Sequence, residues 1–205
     1  KSEGRFVDLA GVTPSIRAIS LAKKCDKDPR FVEVVLRESR EVLRARPGLL
    51  VVEHRLGFVC ANAGVDRSNV GAREGPGEWV LLLPADPDAS CRALRERLKQ
   101  AAGADVGVVI NDSHGRAWRN GIVGVAIGVA GLPALQDMRG RMDLFDYQLQ
   151  ITQVAAADEL ASAASLLMGQ ADESLPVIHA RGFPYPLRES SLAELLRPKE
   201  MDVFR

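Results

Sequence analysis

Three polar loops hold most of the side chains able to do chemistry in this 205-residue chain. In the first, Ala61 to Asn69, Asp66 offers a carboxylate at a loop tip, a hard oxygen ligand of the kind Mg²⁺ and Mn²⁺ prefer. The amide of Asn69, three residues on, can hydrogen-bond a base or a phosphate, although both residues can equally make side-chain-to-backbone turn bonds. In the second loop, Asp112-Ser113 follows the apolar run Val106 to Ile110. A strand that delivers a carboxylate at its C-terminal end suits metal ligation in phosphoryl transfer, and the adjacent hydroxyl is available to a second ion. Arg116 and Arg119 come next, and guanidinium groups match phosphate or carboxylate oxygens in bidentate geometry. The alternative is an aspartate that caps a turn beside two solvated arginines. The third loop, Met168-Gly169-Gln170-Ala171-Asp172-Glu173, taken alone is a glycine helix end leading into solvent. Asp158-Glu159 before it reads as a pair of acids complementing a helix dipole.

Other chemistries find little support. His54, His114 and His179 lie far apart and match no zinc spacing. There is no Walker loop, no GxGxxG after a strand, no GxSxG and no Cys-His nucleophile pair, so any nucleotide is held by a less familiar device. Lysine plus arginine equal aspartate plus glutamate at 27 each, which removes the electrostatic footprint of a dedicated nucleic-acid binder. Cys25, Cys60 and Cys91 form neither a CxxC pair nor a disulfide framework, which points to a reducing cytoplasm. The longest apolar stretch, Gly121 to Leu135, is glycine-rich and too short to span a bilayer as a helix. No charged-then-apolar leader opens the chain, and Lys1-Ser2-Glu3-Gly4-Arg5 reads like the interior of a longer protein.

The elements that must position these loops follow from caps and periodicity. Thr13-Pro14 predicts a helix to about Lys24. Asp28-Pro29 predicts a stronger one, Arg30 to about Arg46, with Phe31, Val34, Val35 and Leu43 on one face and Pro47-Gly48 as its stop. Leu49 to Glu53 and Gly57 to Cys60 read as paired strands, and Ala61 to Asn69 is too poor in large apolar groups to join a core. Glu78 to Leu83 reads as a buried strand, and Asp86-Pro87-Asp88 caps a helix to about Ala102. Strands are expected at Val106 to Ile110, Val123 to Val129, Leu149 to Val154 and Val177 to Ala180, with a helix at Asp158 to Met168 ending on Gly169. A short helix, Leu192 to Leu196, is expected in a charged tail. The irregular alternation favours an α+β (mixed α/β) fold, with mixed sheets and flanking helices, over a doubly wound parallel sheet.

Together, Ala61-Asn62-Ala63-Gly64-Val65-Asp66-Arg67-Ser68-Asn69, Asn111-Asp112-Ser113-His114-Gly115-Arg116-Ala117-Trp118-Arg119-Asn120-Gly121 and Ala157-Asp158-Glu159-Leu160-Ala161 with Leu167-Met168-Gly169-Gln170-Ala171-Asp172 resemble the coenzyme F420-0:L-glutamate ligase family. That family includes the ligase half of the actinobacterial two-domain enzyme. The likeness runs from Lys1 to about Gly182 in the right order. It implies a ligase domain over residues 1–185, incomplete at its N-terminus, and a tail or linker over 186–205.

The resemblance further implies a GTP-dependent ligase that joins L-glutamate to coenzyme F420-0 through an acyl phosphate, with extension of the γ-linked tail as a further activity. Asp66 and Asp112 would share one divalent cation, Mg²⁺ or Mn²⁺, while Ser113 and Gln170 hold the second. The cofactor set also admits a monovalent cation such as K⁺. Asn69 and Lys1 would contact GTP, and Met168, Gly169, Gln170, Ala171, Asp172, Glu173, Ser174 and Leu175 would line its site. Arg116 and Arg119 are candidates for phosphate or glutamate contacts. The resemblance also implies a homodimer, and the cysteine, charge and apolar-run readings above add a cytoplasmic location with no nucleic-acid or membrane partner. His114 and Ala117 depart from the residues expected at their positions. Two rival readings are a ligase for another carboxylate acceptor and an inactive binding or dimerising module.

Overall fold

A computed structural model describes residues 5–68, 70 and 78–202. The chain divides into two compact units, one of Lys1–Ala85 with Pro198–Arg205 and one of Asp86–Arg197. The α+β class stands. Every strand pairing among the described residues is antiparallel, in ladders of two or three strands, where mixed sheets were expected. Among the described residues no helix is long and apolar enough to cross a membrane.

In the first unit, β1 (Phe6–Asp8) pairs with β5 (Trp79–Leu81), and α1 (Ile16–Cys25) and α2 (Pro29–Arg37) cover a core that includes Leu9, Phe31, Val35, Leu50, Val52 and Val80. The cap of α1 is Ser15, whose hydroxyl accepts the Ala18 N–H, and not Thr13. Asp28 caps α2 with Pro29 at its first turn, as the sequence pattern indicates.

The main departure from the sequence pattern is the end of α2. It stops at Arg37, and residues expected to continue it form β2 (Ser39–Arg46), paired with β3 (Leu49–His54). Two things turn the chain there. The Ser39 hydroxyl donates to the Val35 carbonyl at 2.6 Å, and the Glu38 carboxylate takes both outer nitrogens of Arg5 at 3.0 Å. The β2–β3 ladder then steps past Arg40 and Leu43, so Leu43 sits at an irregularity of the strand and not on a helical stripe. Pro47-Gly48 is the turn of this hairpin, which β4 (Val59–Ala61) extends on the β3 side.

In the second unit, α3 (Pro87–Ala102) is capped by Asp86, and the long hairpin β6 (Val108–Arg116) and β7 (Arg119–Ala130) lies against α3 and α4 (Ala156–Met168). Ala126, Val129, Leu132, Ala134, Ala157 and Ala161 form its core. β6 does not end at Ile110, as the polar run after it suggested, but continues through Arg116. Ladder pairing with β7 satisfies the backbone there, and local polarity does not stop it. β8 (Gln136–Asp137) and β9 (Gln153–Val154) pair briefly, so only the last residues of the expected Leu149 to Val154 strand join a ladder. Val177 to Ala180 forms no strand among the described residues; Val177 is exposed, and no neighbouring sheet buries the run. Near the C-terminus the expected helix is a single 3₁₀ turn, Leu192–Glu194, with the buried Leu192 donating its N–H to the Asp88 carboxylate at 3.2 and 3.1 Å.

Candidate functional site

The Asp66 loop is built by an unusual backbone. Asn62, Ala63 and Gly64 follow one another with φ of 52°, 53° and 64°, a left-handed run that non-glycine residues adopt at a cost. A Cβ on Gly64 would lie 2.6 Å from Leu83, so this position cannot carry a larger residue unless Leu83 moves. The run turns Ala63 and Val65 into the core, against the expectation that the loop contributes nothing to it. It also sets Asp66 against the end of β5, where Asp66 and Leu81 exchange backbone hydrogen bonds of 3.0 and 2.9 Å. The Asp66 carboxylate accepts the Ser68 N–H at 2.7 Å and the Ser68 hydroxyl at 2.8 Å. Next to it, the Arg67 guanidinium stacks over Phe31, 4.8 Å from the ring centre. Asp66 thus makes the turn bonds its residue type suggests, and those bonds hold its carboxylate in one orientation. Asn69 and Lys1 lie outside the described residues.

The β6–β7 hairpin holds the second group. Asp112 pairs with Val125 and Ser113 with Gly124 in the middle of the ladder, not at a strand end. Consecutive strand residues face opposite ways, so Asp112 shares a face with His114, whose Nε2 lies 3.2 Å from its carboxylate. Ser113 faces α4. Its hydroxyl donates to the Gln170 amide oxygen at 2.8 Å across 57 residues of sequence, and the Gln170 amide nitrogen donates to the Ser165 hydroxyl at 3.0 Å. The structure therefore brings Ser113 and Gln170 together. Arg116 and Arg119 face each other across the Ala117-Trp118 hairpin turn, and Arg116 donates to the Asn120 carbonyl at 3.1 Å. That contact gives Arg116 a role in closing the hairpin. Among the described residues, no hydrogen bond or ion pair joins either arginine to the Ser113–Gln170 pair.

The third group follows α4, whose end is marked by the Gly169 N–H on the Ser165 carbonyl. The loop then folds on itself. The Glu173 carboxylate accepts the Ala171 N–H at 2.8 Å, and Ser174, at φ 56°, donates its hydroxyl to the Asp172 carbonyl. Backbone N–H groups of Ala171, Glu173 and Gln170 hold the Glu173 carboxyl below its ordinary range. A loop whose amides turn toward one carboxylate could receive a phosphate only in that carboxylate's place.

Asp158, in the first turn of α4, does more than complement the helix dipole. The β6–β7 ladder steps past Ile127, and the Ala126 N–H donates to the Asp158 carboxylate at 2.9 Å. Burial pushes the carboxyl up, against the pull of that bond and of His114. Among the described residues no three His, Cys, Asp or Glu side chains gather as a ready metal cluster. The oxygens that do meet, a serine hydroxyl and a glutamine carbonyl, are hard neutral donors of the type found on Mg²⁺ and Mn²⁺.

The class follows from sequence comparison once these positions are in view. The model of the F420-0:gamma-glutamyl ligase family matches residues 1–182, and the chain belongs to that family. Among its relatives is the coenzyme F420:L-glutamate ligase of Methanocaldococcus jannaschii, 45% identical over 205 residues, which covers all of this chain and 80% of that protein. The enzyme of the same name from Methanopyrus kandleri is 47% identical over all of this chain and 81% of its own, and that of Archaeoglobus fulgidus 44% over all and 80%.

Proposed function

We propose that this protein joins L-glutamate to coenzyme F420-0 at the expense of GTP, with extension of the γ-linked tail as a further activity. The observation that carries the reading is identity of 44–47% across the whole chain to proteins named for that ligation. The meeting of Ser113 and Gln170 supports it, because two residues distant in sequence supply adjacent hard oxygens.

In this reading Asp66 and Asp112 supply the carboxylates, and Ser113 and Gln170 the neutral oxygens, for two divalent cations, Mg²⁺ or Mn²⁺. Those ions would neutralise charge on the phosphates. Ser68 orients Asp66 through its N–H and its hydroxyl, and the 168–175 loop, whose Ala171 amide is bonded to the Glu173 carboxylate here, would line the nucleotide. The γ-phosphoryl group of GTP passes to a carboxylate oxygen of the acceptor, leaving GDP and an acyl phosphate. The glutamate amine attacks the acyl carbon, an amide forms, and phosphate departs. Lys1 and Asn69 complete the nucleotide contacts, Arg116 and Arg119 are candidates for phosphate or glutamate, and residues 1–185 form the ligase portion of a cytoplasmic homodimer.

The test is incubation of the intact protein with GTP, Mn²⁺, L-glutamate and F420-0, followed by weighing of the product. A gain of one glutamyl residue is expected. A folded protein that produces none, or that glutamylates only a different carboxylate, overturns the assignment.

A further inference from the structure

Gln170 presents a symmetric-looking amide of which only one end is useful to a cation. Its oxygen is a hard ligand, whereas its NH₂ group, turned the other way, would offer hydrogens to a positive ion. Ser113 alone does not decide the matter, since a hydroxyl can donate to the amide oxygen or accept from the amide nitrogen. A third group must break the tie.

That group is Ser165, a buried serine in the last turns of α4, whose hydroxyl oxygen lies 3.0 Å from the Gln170 nitrogen. The Ser165 hydroxyl accepts from that nitrogen, so the NH₂ end of the amide is held on the α4 side. With the nitrogen engaged there, the oxygen points to Ser113, 2.8 Å away. The Ser113 proton is then directed at Gln170, and the lone pairs of the Ser113 hydroxyl stay available.

Two backbone features bring Ser165 into place. Gly124 stands opposite Ser113, and a Cβ on it would lie 2.6 Å from the Ser165 Cβ, so its bare backbone admits α4 at this level. One turn earlier, the Ser162 hydroxyl donates to the Gly124 carbonyl at 2.8 Å. We propose that Ser165 is a positioning residue that fixes the Gln170 amide with its oxygen toward Ser113, and thereby prepares the Ser113–Gln170 oxygen pair for a divalent cation. This rests on the ligand roles given to Ser113 and Gln170 above.

Mn²⁺ titrated into the intact protein with GTP present, with free ion followed by electron spin resonance, tests the proposal. Ser165→Ala is expected to weaken one bound ion about tenfold, the size typical of losing a group that orients a ligand. In a Gln170→Ala background the same substitution is expected to add less than about twofold, because nothing remains to orient. Unchanged Mn²⁺ binding in Ser165→Ala overturns the proposal, and so does an equal loss in both backgrounds. Should Ser165→Ala melt below the assay temperature, Ser165→Thr and Ser165→Val, equal in shape, decide instead. Tighter binding by the threonine supports the role, and equal binding overturns it. Wild-type glutamyl transfer is measured alongside. An inactive wild type removes the ligase reading, whereas an active wild type with an indifferent Ser165→Ala removes this inference alone.

Discussion

Gly124 and Ala161 meet backbone to backbone: a Cβ on the glycine would stand 2.5 Å from the Ala161 carbonyl oxygen. A helix backbone cannot yield as a side-chain tip can, so Gly124→Ala must push α4 off the hairpin. Overpacking of this kind costs about 1–3 kcal/mol, measurable by urea denaturation. Because Ser113 sits opposite Gly124 and Gln170 follows α4, glutamyl transfer is expected to fall on the order of 10²-fold, as for a misplaced catalytic group. Retention of full activity and stability would show that the contact is not needed.

Asp66→Asn separates the turn bonds of this side chain from the ligand role proposed for it. The amide oxygen can still accept from the Ser68 N–H and hydroxyl, so the turn and the fold survive. Its negative charge does not. Turnover is expected to drop on the order of 10³-fold with a stability change under about 1 kcal/mol, followed by product mass and thermal melting. Near-normal turnover would reduce Asp66 to a turn former. Asp112→Ala is expected to give the same pairing of lost turnover and kept fold, and an active variant would count against its ligand role.

The contrast between these positions shows what the sequence could reveal. The aspartate caps before Pro29 and Pro87 were legible because each is decided within one helical turn. β2 was not. Its residues carry a helical pattern, and what overrides that pattern is pairing with β3 and the ion pair of Glu38 with Arg5, 33 residues away. Gln170 stood out only through family likeness, since a glutamine after a helix-ending glycine carries no signal of its own. Gly124 was legible in part, because a glycine inside the Val123 to Val129 strand marks a place for close approach, here by the Ala161 backbone. Ser165 carried no signal, since its role arises from a helix and a strand meeting, which no local spacing encodes.

The Glu38 cluster makes a pH prediction for the first unit. Burial raises the Glu38 carboxyl, but hydrogen bonding and charge from Arg5, with Arg55 and His54 adding to them, outweigh it, and the net shift is downward. A carboxyl depressed in the folded state stabilises the protein above its ordinary 4.5, and that stabilisation is lost as pH falls through the lower folded value. Glu38→Gln is therefore expected to cost about 1.5–3 kcal/mol near pH 7, the range for hydrogen bonds to charged groups. The gap from wild type should close on acidification below 4.5. Denaturation curves across that range check it, and a gap independent of pH would refute the coupling.

Asp158 has the opposite sign, which makes it the sharper test. Burial lifts its folded carboxyl above the ordinary 3.8, and the Ala126 N–H and His114 offset this only in part. Between the ordinary and the raised value the folded state binds more protons than the unfolded one, so this group makes stability decline as pH rises. Above the folded value the ionised carboxylate stays a constant burden. Asp158→Asn keeps an oxygen for the Ala126 N–H and cannot ionise. Its stability relative to wild type is expected to climb from about pH 4 upward and then level off, leaving the variant the more stable at pH 7. Contributions from Glu38 and other carboxyls cancel in the difference, so parallel urea titrations at fixed salt isolate this one side chain. A relative stability that falls or stays flat over the window would mean that α4 meets β7 without burying a charge.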